Sequence, residues 1–472
     1  MSLTKIRSSI CGQVAALIAW LALTALPPPA FAKSDTPTIV RDAELENTIR
    51  LIATPLFEAA GLTGENVHTY VIGDKSLNAF VAGGQNVFVN TGLIMAADNV
   101  NQLAGVIAHE TGHITGGHLA RFQEGLKGAS AIAIAGMLLG AVAMAMGGGD
   151  AGMAVMMGSQ EAAQRAVLAY SRTQEAAADQ AAMTFLDATK QSGQGLVDFF
   201  ERLSSEELLY TTNRDPYVRS HPLTRDRINA LSGLVEKSPY KSASNPPGLD
   251  ELFLRMKAKL IGYFQPPYVA FQKYPLSDHS LYARYARAYA YNQQHDMTKA
   301  MAETDSLLTD YPNDPYFWEL KGFLLFDNGK IAEAIAPFRR SIALSPHEPL
   351  ILLQLAQVLI AMEDDALNAE AITHLEMANR FERDSPFAWH QLSIAYHRAG
   401  QEGMAHLAAA ERFLLIGMTP QATAQGRHAM EKLKRGTPQW LRAQDIVMAA
   451  GDGEMPDENA KSKNKNRKPK EQ

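Results

Sequence analysis

Two histidines four residues apart, with a glutamate directly after the first, give this chain its clearest capacity for chemistry: Ala108-His109-Glu110-Thr111-Gly112-His113. At 100° per residue, His109 and His113 fall one turn apart on the same face of a helix, where both imidazoles reach one tetrahedral Zn²⁺. Glu110 then sits beside the metal. A carboxylate there takes a proton from a water that the metal has acidified and passes it to the leaving amine of a peptide bond. The apolar run Leu103–Ala108 before the motif predicts a helix that enters a core, within a helical stretch Asn101–Arg121.

Zinc of the catalytic kind needs a third protein ligand. In the metzincin pattern HExxHxxGxxH, Gly116 fills the glycine position, but the third histidine would fall at Leu119. His118 lies nine residues, about 180° of helix, from His109, and is expected on the surface. The stretch Ser171–Asp179 offers another solution: Glu175 as ligand, with Asp179 one turn later to accept the free N–H of a liganded imidazole and fix its tautomer. The flanks Ala176–Ala178 and Ala181-Ala182 favour a buried helix over a solvated acidic face.

These motifs, with Asn78-Ala79-Phe80-Val81-Ala82-Gly83-Gly84, the following Val87–Leu93, and Ser220-His221-Pro222-Leu223-Thr224-Arg225-Asp226-Arg227-Ile228, resemble the gluzincin metallopeptidase family of the CAAX prenyl proteases and the heat-shock protease HtpX. The resemblance implies a zincin-type domain holding one Zn²⁺ per chain on His109, His113 and Glu175, with Asp179 behind them and Glu110 as general base. It places His221 facing the metal and matches Arg227 to the family's arginine, with Arg225 a nearby competitor. Two roles for His221 stay open: donor to the oxyanion of the tetrahedral intermediate, or fourth ligand that displaces water and holds the enzyme off. In similar zincins a strand borders the cleft. Asn78, Phe80, Gly83 and Gly84 are therefore implied to bind substrate, through backbone hydrogen bonds to an extended peptide; the alternative is a plain structural hairpin.

The elements that must position these residues follow from periodicity. Thr36–Gly61 is predicted helical, with Leu45, Ile49, Ile52 and Leu56 on one face, His68–Ile72 a strand, and Phe80–Val89 a hairpin turning at Gly83-Gly84. Leu196–Leu209 and Thr224–Leu231 are predicted helices. From Gly128 to Gly149 there are 22 residues without a charge, and the core of that run, Ala131–Met146, falls short of a membrane span. Its place between the two ligand helices suggests a helical lid beside the cleft. The alternative is contact with a membrane surface or an apolar partner through the adaptable surface of Met144, Met146, Met153, Met156 and Met157.

Lys237–Gly248, with its prolines and serines, predicts a linker, and Leu249–Tyr263 an amphipathic connector helix. Beyond it Pro315, Pro349 and Pro386 recur at 34 and 37 residues, and Trp318, Gly322, Ala334, Phe338 and Pro346 fill tetratricopeptide positions. Four helix pairs and a capping helix to about Ala449 are expected to form a solenoid that recruits substrates or partner proteins.

At 472 residues the chain has room for two or three domains, and a net charge of −6 gives no sign of a nucleic-acid binder. Lys5 and Arg7, the apolar Val14–Leu26 and Ala30-Phe31-Ala32 predict a cleaved signal peptide, after which the one cysteine, Cys11, is gone. The expected fold is mainly α: signal peptide 1–32, metalloprotease domain with a small β-hairpin or sheet at 33–236, connector 237–275, tetratricopeptide solenoid 276–449, and a disordered basic tail 450–472. The expected function is that of a zinc-dependent periplasmic endopeptidase similar to those acting on unfolded or stalled outer-membrane β-barrel proteins and their assembly machinery, with or without peripheral membrane contact. A non-proteolytic chaperone or adaptor with a plugged or structural zinc site is the competing reading.

Overall fold

The computed structural model describes residues 38–63, 67–118, 149–209 and 221–450. The predicted signal peptide, the greater part of the charge-free stretch and nearly all of the basic tail lie outside the described residues.

Strand β1 (Ile39–Val40) leads into helix α1 (Ala43–Ala59), whose start is set by Asp42 accepting from the Leu45 N–H. The predicted stripe Leu45, Ile49, Ile52 and Leu56 is buried. The helix does not begin at Thr36, because Ile39 and Val40 pair antiparallel with Ile72 and Val71 of β2 (His68–Ile72). Strands β3 (Ala79–Ala82) and β4 (Asn86–Asn90) form the predicted hairpin, with Gly83 (φ +58°) and Gly84 (φ +96°) in the left-handed turn where a Cβ would be strained. Among the described residues the sheet order is β1-β2-β4-β3, and β2 and β4 run parallel. Val71, Val87 and Val89 face the core, while Tyr70, Phe88 and Phe80 stack across the sheet at 5.3 and 5.1 Å between centroids.

After α2 (Thr91–Ala96) comes α3 (Val100–Thr115), capped by Asn99 and buried from Val100 to Gly112, apart from a half-buried Asn101. It ends at Thr115 rather than Arg121, because Gly117 turns into the left-handed region (φ +59°). Helices α4 (Gly149–Ala188), α5 (Gln194–Leu209), α6 (Arg225–Lys237) and α7 (Leu249–Phe264) complete the first half. The apolar stretch from Gly149 onward is thus continuous with the helix that carries Glu175, and Met153 and Met157 are exposed one turn apart on it. Among the described residues no helix is long and apolar enough to cross a membrane.

One apolar core runs from Leu45 to Leu260 between α1, the sheet and α3 to α7. The connector is therefore built in: Phe253, Met256 and Leu260 of α7 complete that core, and Gly262 lies so close to α9 (Leu281–Gln293) that a Cβ would meet the Ala286 carbonyl at 2.4 Å. Short α8 (Pro267–Lys273) precedes α9. Then follow α10 (Met297–Asp310), α11 (Pro315–Asp327), α12 (Ile331–Leu344), α13 (Pro349–Ala361), α14 (Asp365–Phe381), α15 (Pro386–Arg398) and α16 (Glu402–Leu415). Pro315, Pro349 and Pro386 each open a helix, where the missing N–H has no partner to lose. The cap is a further pair, α17 (Thr419–Lys432) and α18 (Pro438–Ala450), not one helix: Gly436 (φ +81°) and Pro438 reverse the chain once more.

The halves are locked together by buried charge. Glu44 of α1 takes Arg255 at 2.8 Å, Lys259 at 3.4 Å and the Tyr285 hydroxyl at 2.5 Å, while Arg255 also reaches Asp314 at 2.6 Å and Lys259 reaches Asp42 at 2.6 Å. Cutting the chain at Leu276 would strip Tyr285 and Asp314 from this cluster, and breaking a buried pair costs about 3–5 kcal/mol. The peptidase half is thus not finished without the first repeat.

Glu319, in the same cluster, receives the Gln354 amide at 2.8 Å, but its Oε2 and Gln354 Oε1 are both buried acceptors without a donor among the described residues. Burial pushes its carboxyl up to about 8, more than nearby Lys259 pulls it down. The folded protein then holds a proton that the unfolded chain releases above the usual carboxylate range, so stability falls as pH rises from there through about 8. Glu319→Gln is expected to match wild type in thermal unfolding near about pH 5 and to exceed it near about pH 9.

Candidate metal centre

The two ligand helices meet at a glycine. Gly112, inside the HExxH turn of α3, has no Cβ to hold α4 away; one there would lie 2.8–3.2 Å from the Ala178 backbone. That approach brings Glu175 and Asp179 to the histidine face of α3. The loop before α6 adds His221, and Thr224 caps α6 by accepting from the Arg227 N–H, which sets Arg227 on the first turn.

His109 Nε2 lies 3.1 Å from His113 Nε2, 3.4 Å from His221 Nδ1 and 3.4 Å from Glu175 Oε2. Glu175 Oε1 is 3.4 Å from His113 Nε2 and 3.2 Å from His221 Nδ1. A tetrahedral centre with bonds of about 2.0–2.1 Å has edges of about 3.3–3.4 Å, so this donor set fits one small cation. His109, His113, Glu175 and His221 form the one such group among the described residues.

Charge agrees with that fit. Glu110, Glu175 and Asp179 are buried with a single guanidinium, Arg227, leaving two negative charges for a dication to balance when the imidazoles are neutral. Burial alone would lower His109, but the hydrogen bonds it donates to Asp179 and Glu175 outweigh it and hold it at about 9. Burial and the charge on His109 drive His113 down to about 2. Glu175 stays well below the carboxylate range because its hydrogen bonds to His109 and His221, together with their charge, exceed its burial cost.

Glu110 is 1% exposed, and its Oε1 has no hydrogen-bond partner among the described residues; His221 Nε2 is 3.5 Å away. Burial raises its pKa, the condition of a carboxyl that must accept and then give up a proton. Asp179 Oδ1 lies 2.9 Å from His109 Nδ1, where a tautomer-fixing carboxylate is expected. Arg227 clamps Asp179 with both carboxylate oxygens at 2.5 and 2.8 Å, reaches Glu175 at 2.8 Å and the Pro222 carbonyl at 3.3 Å. Arg225 is exposed, whereas Arg227 is buried against the cluster.

Two neighbours escaped the sequence reading. Phe200 packs its ring against Arg227 at 4.7 Å and edge-on to His109 at 5.9 Å between centroids. His118 is not on the surface: it is buried, with Nδ1 2.9 Å from His113 Nδ1. The helical-wheel argument fails for it because α3 has already ended and Gly117 has turned the chain back. The glycine pair before it was the available signal.

Residues 40–235 match the family model described as peptidase family M48. These residues are an M48 peptidase domain. The chain is accordingly a metalloprotease. Over 412 residues it is 25% identical to the beta-barrel assembly-enhancing protease of Yersinia pestis, covering 86% of this chain and 83% of that one, and 24% identical to the Escherichia coli K12 protein of the same name, covering 86% and 82%. It is also 28% identical over 211 residues to the metalloprotease LoiP of Escherichia coli K12, 44% of this chain and 77% of that one.

Within the M48 domain, Asn78, Phe80, Gly83 and Gly84 lie on and around β3, whose outer edge pairs with no strand among the described residues. Asn78 precedes the strand, with its backbone carbonyl accepting from the Asn90 N–H and its Oδ1 buried without a donor among the described residues. Phe80 faces Phe88 across the hairpin, and the two glycines form the exposed turn.

Proposed function

We propose that the chain is a zinc-dependent periplasmic endopeptidase that acts on unfolded or stalled outer-membrane β-barrel proteins, its repeats recruiting substrates or the assembly machinery. The observation that carries the zinc reading is the cluster of four donor residues, three histidines and a glutamate, with His109 Nε2 lying 3.1–3.4 Å from the other three. The substrate class rests on the name of the relatives that match over most of their length. The address rests on the predicted leader and on a mature chain without cysteine.

His109, His113 and Glu175 would hold the zinc. When bound, zinc supplies Lewis-acid polarisation of the scissile carbonyl and lowers the pKa of the attacking water. Glu110 takes that water's proton at Oε1 and delivers it to the amine nitrogen as the C–N bond breaks. Asp179 fixes the tautomer of His109 through Nδ1, and Arg227 positions Asp179, Glu175 and the His221-Pro222 turn without touching the reacting atoms. The unpaired edge of β3 receives the substrate backbone as an added strand, and Asn78 keeps an unpaired buried oxygen beside it.

His221 Nδ1 occupies the fourth corner, which favours the resting plug over a role limited to the oxyanion. The proposed limits are signal peptide 1–32, peptidase domain 33–236, connector 237–275, repeats 276–449 and basic tail 450–472, with the connector packed into the peptidase core. Cleavage of a chemically unfolded protein is expected to stop on chelation and to return with one equivalent of Zn²⁺. Cleavage that continues in the metal-free protein would refute the reading.

A further inference from the structure

The four corners of the metal site are not supported alike. His109 is backed by the Asp179 carboxylate, whereas among the described residues the outer nitrogen of His113 meets neither carboxylate nor backbone carbonyl but the ring of another histidine, His118 Nδ1, at 2.9 Å. For His113 Nε2 to face the cation as a lone pair, a neutral imidazole must carry its proton on Nδ1. The nitrogen opposite must then accept. We propose that His118 is a positioning residue of the metal site: its Nδ1 accepts the Nδ1–H of His113 and keeps Nε2 of His113 bare and aimed at the cluster.

The backbone around His118 is shaped for this. Gly117 in the left-handed region (φ +59°) swings the chain off the axis of α3, and Gln174 of α4 donates to the His118 carbonyl at 3.5 Å. The His118 ring then lies over Gly116, where a Cβ would fall 2.2 Å from Nε2, 2.6 Å from Cδ2 and 2.7 Å from Cε1. Gly116 itself has ordinary right-handed angles (φ −71°, ψ −12°), so nothing in its backbone asks for glycine. Its missing side chain is room for the ring. Two independent features, the nitrogen contact and the vacated Cβ position, thus converge on one ring orientation, nearly edge-on to His113 at an interplanar angle of 79°.

This inference rests on the proposed zinc site, and its test separates the two. The measurement is the affinity of the metal-free full chain for Zn²⁺, by competition with a chromophoric chelator, in wild type, His118→Phe, His118→Asn and Gly116→Ala. Removing the support of a liganding histidine typically weakens binding by about 10–100-fold. His118→Phe keeps the ring volume without an acceptor and should show that loss. Gly116→Ala, with a helical backbone that alanine adopts freely, should show it too by displacing the ring.

His118→Asn places an amide oxygen near the position of Nδ1 and should stay within a few-fold of wild type. Equal affinity in wild type, His118→Phe and Gly116→Ala would overturn the assignment while leaving the zinc site standing. Equal weakening in His118→Asn and His118→Phe would also overturn it, since the ring would then matter only as packing. A wild type that binds no zinc would overturn both.

Discussion

Glu110→Gln is expected to abolish proteolysis while leaving the metal in place. The amide keeps the size and burial of the carboxylate but cannot accept the proton that peptide hydrolysis must move, and general acid–base catalysis contributes about 10²–10⁴-fold. Glu110 is also the group whose removal should disturb the cluster least: its Oε1 has no hydrogen-bond partner among the described residues, and it is not one of the four grouped donors. Steady-state cleavage of an unfolded protein, with zinc content measured on the same sample, checks both halves. Loss of zinc from Glu110→Gln would make Glu110 a ligand and reassign the site.

His221→Ala separates the two roles of the loop histidine. With Nδ1 3.4 Å from His109 Nε2 and 3.2 Å from both Glu175 oxygens, His221 would, in the proposed site, stand where water or a carbonyl oxygen enters. A neutral imidazole competes well with water for Zn²⁺. Turnover of one unfolded substrate, compared at equal zinc content, is expected to rise in His221→Ala. A fall of about 10²-fold would instead assign His221 to the oxyanion and remove the plug.

Much of the site was legible because it is local. The spacing of His109 and His113 fixes their shared face once a helix is granted; of the alanines expected to be buried around Glu175 and Asp179, Ala178 and Ala182 are, while Ala176 and Ala177 face solvent on the opposite side of the helix. The repeats were legible for the same reason: Pro315, Pro349 and Pro386 each mark a helix start by backbone chemistry alone. Tertiary relations were harder to read. Nothing in the order of residues says that Arg227 bridges Asp179 and Glu175, or that Gly112 is small for the sake of Ala178. His118 was misplaced by extending α3 past a glycine pair that ends it. The connector looked amphipathic because its charged face holds Arg255 and Lys259, yet that face is buried against Glu44, Asp42 and Asp314.

The account depends above all on Glu175 closing the metal site, since it comes from a helix far along the chain from His109 and His113. Zinc affinity of Glu175→Ala, by chelator competition on the metal-free full chain, tests this most directly. The account predicts that stoichiometric high-affinity zinc is lost together with cleavage of an unfolded protein, while the fold persists. Retention of one tightly bound zinc at wild-type affinity would contradict it.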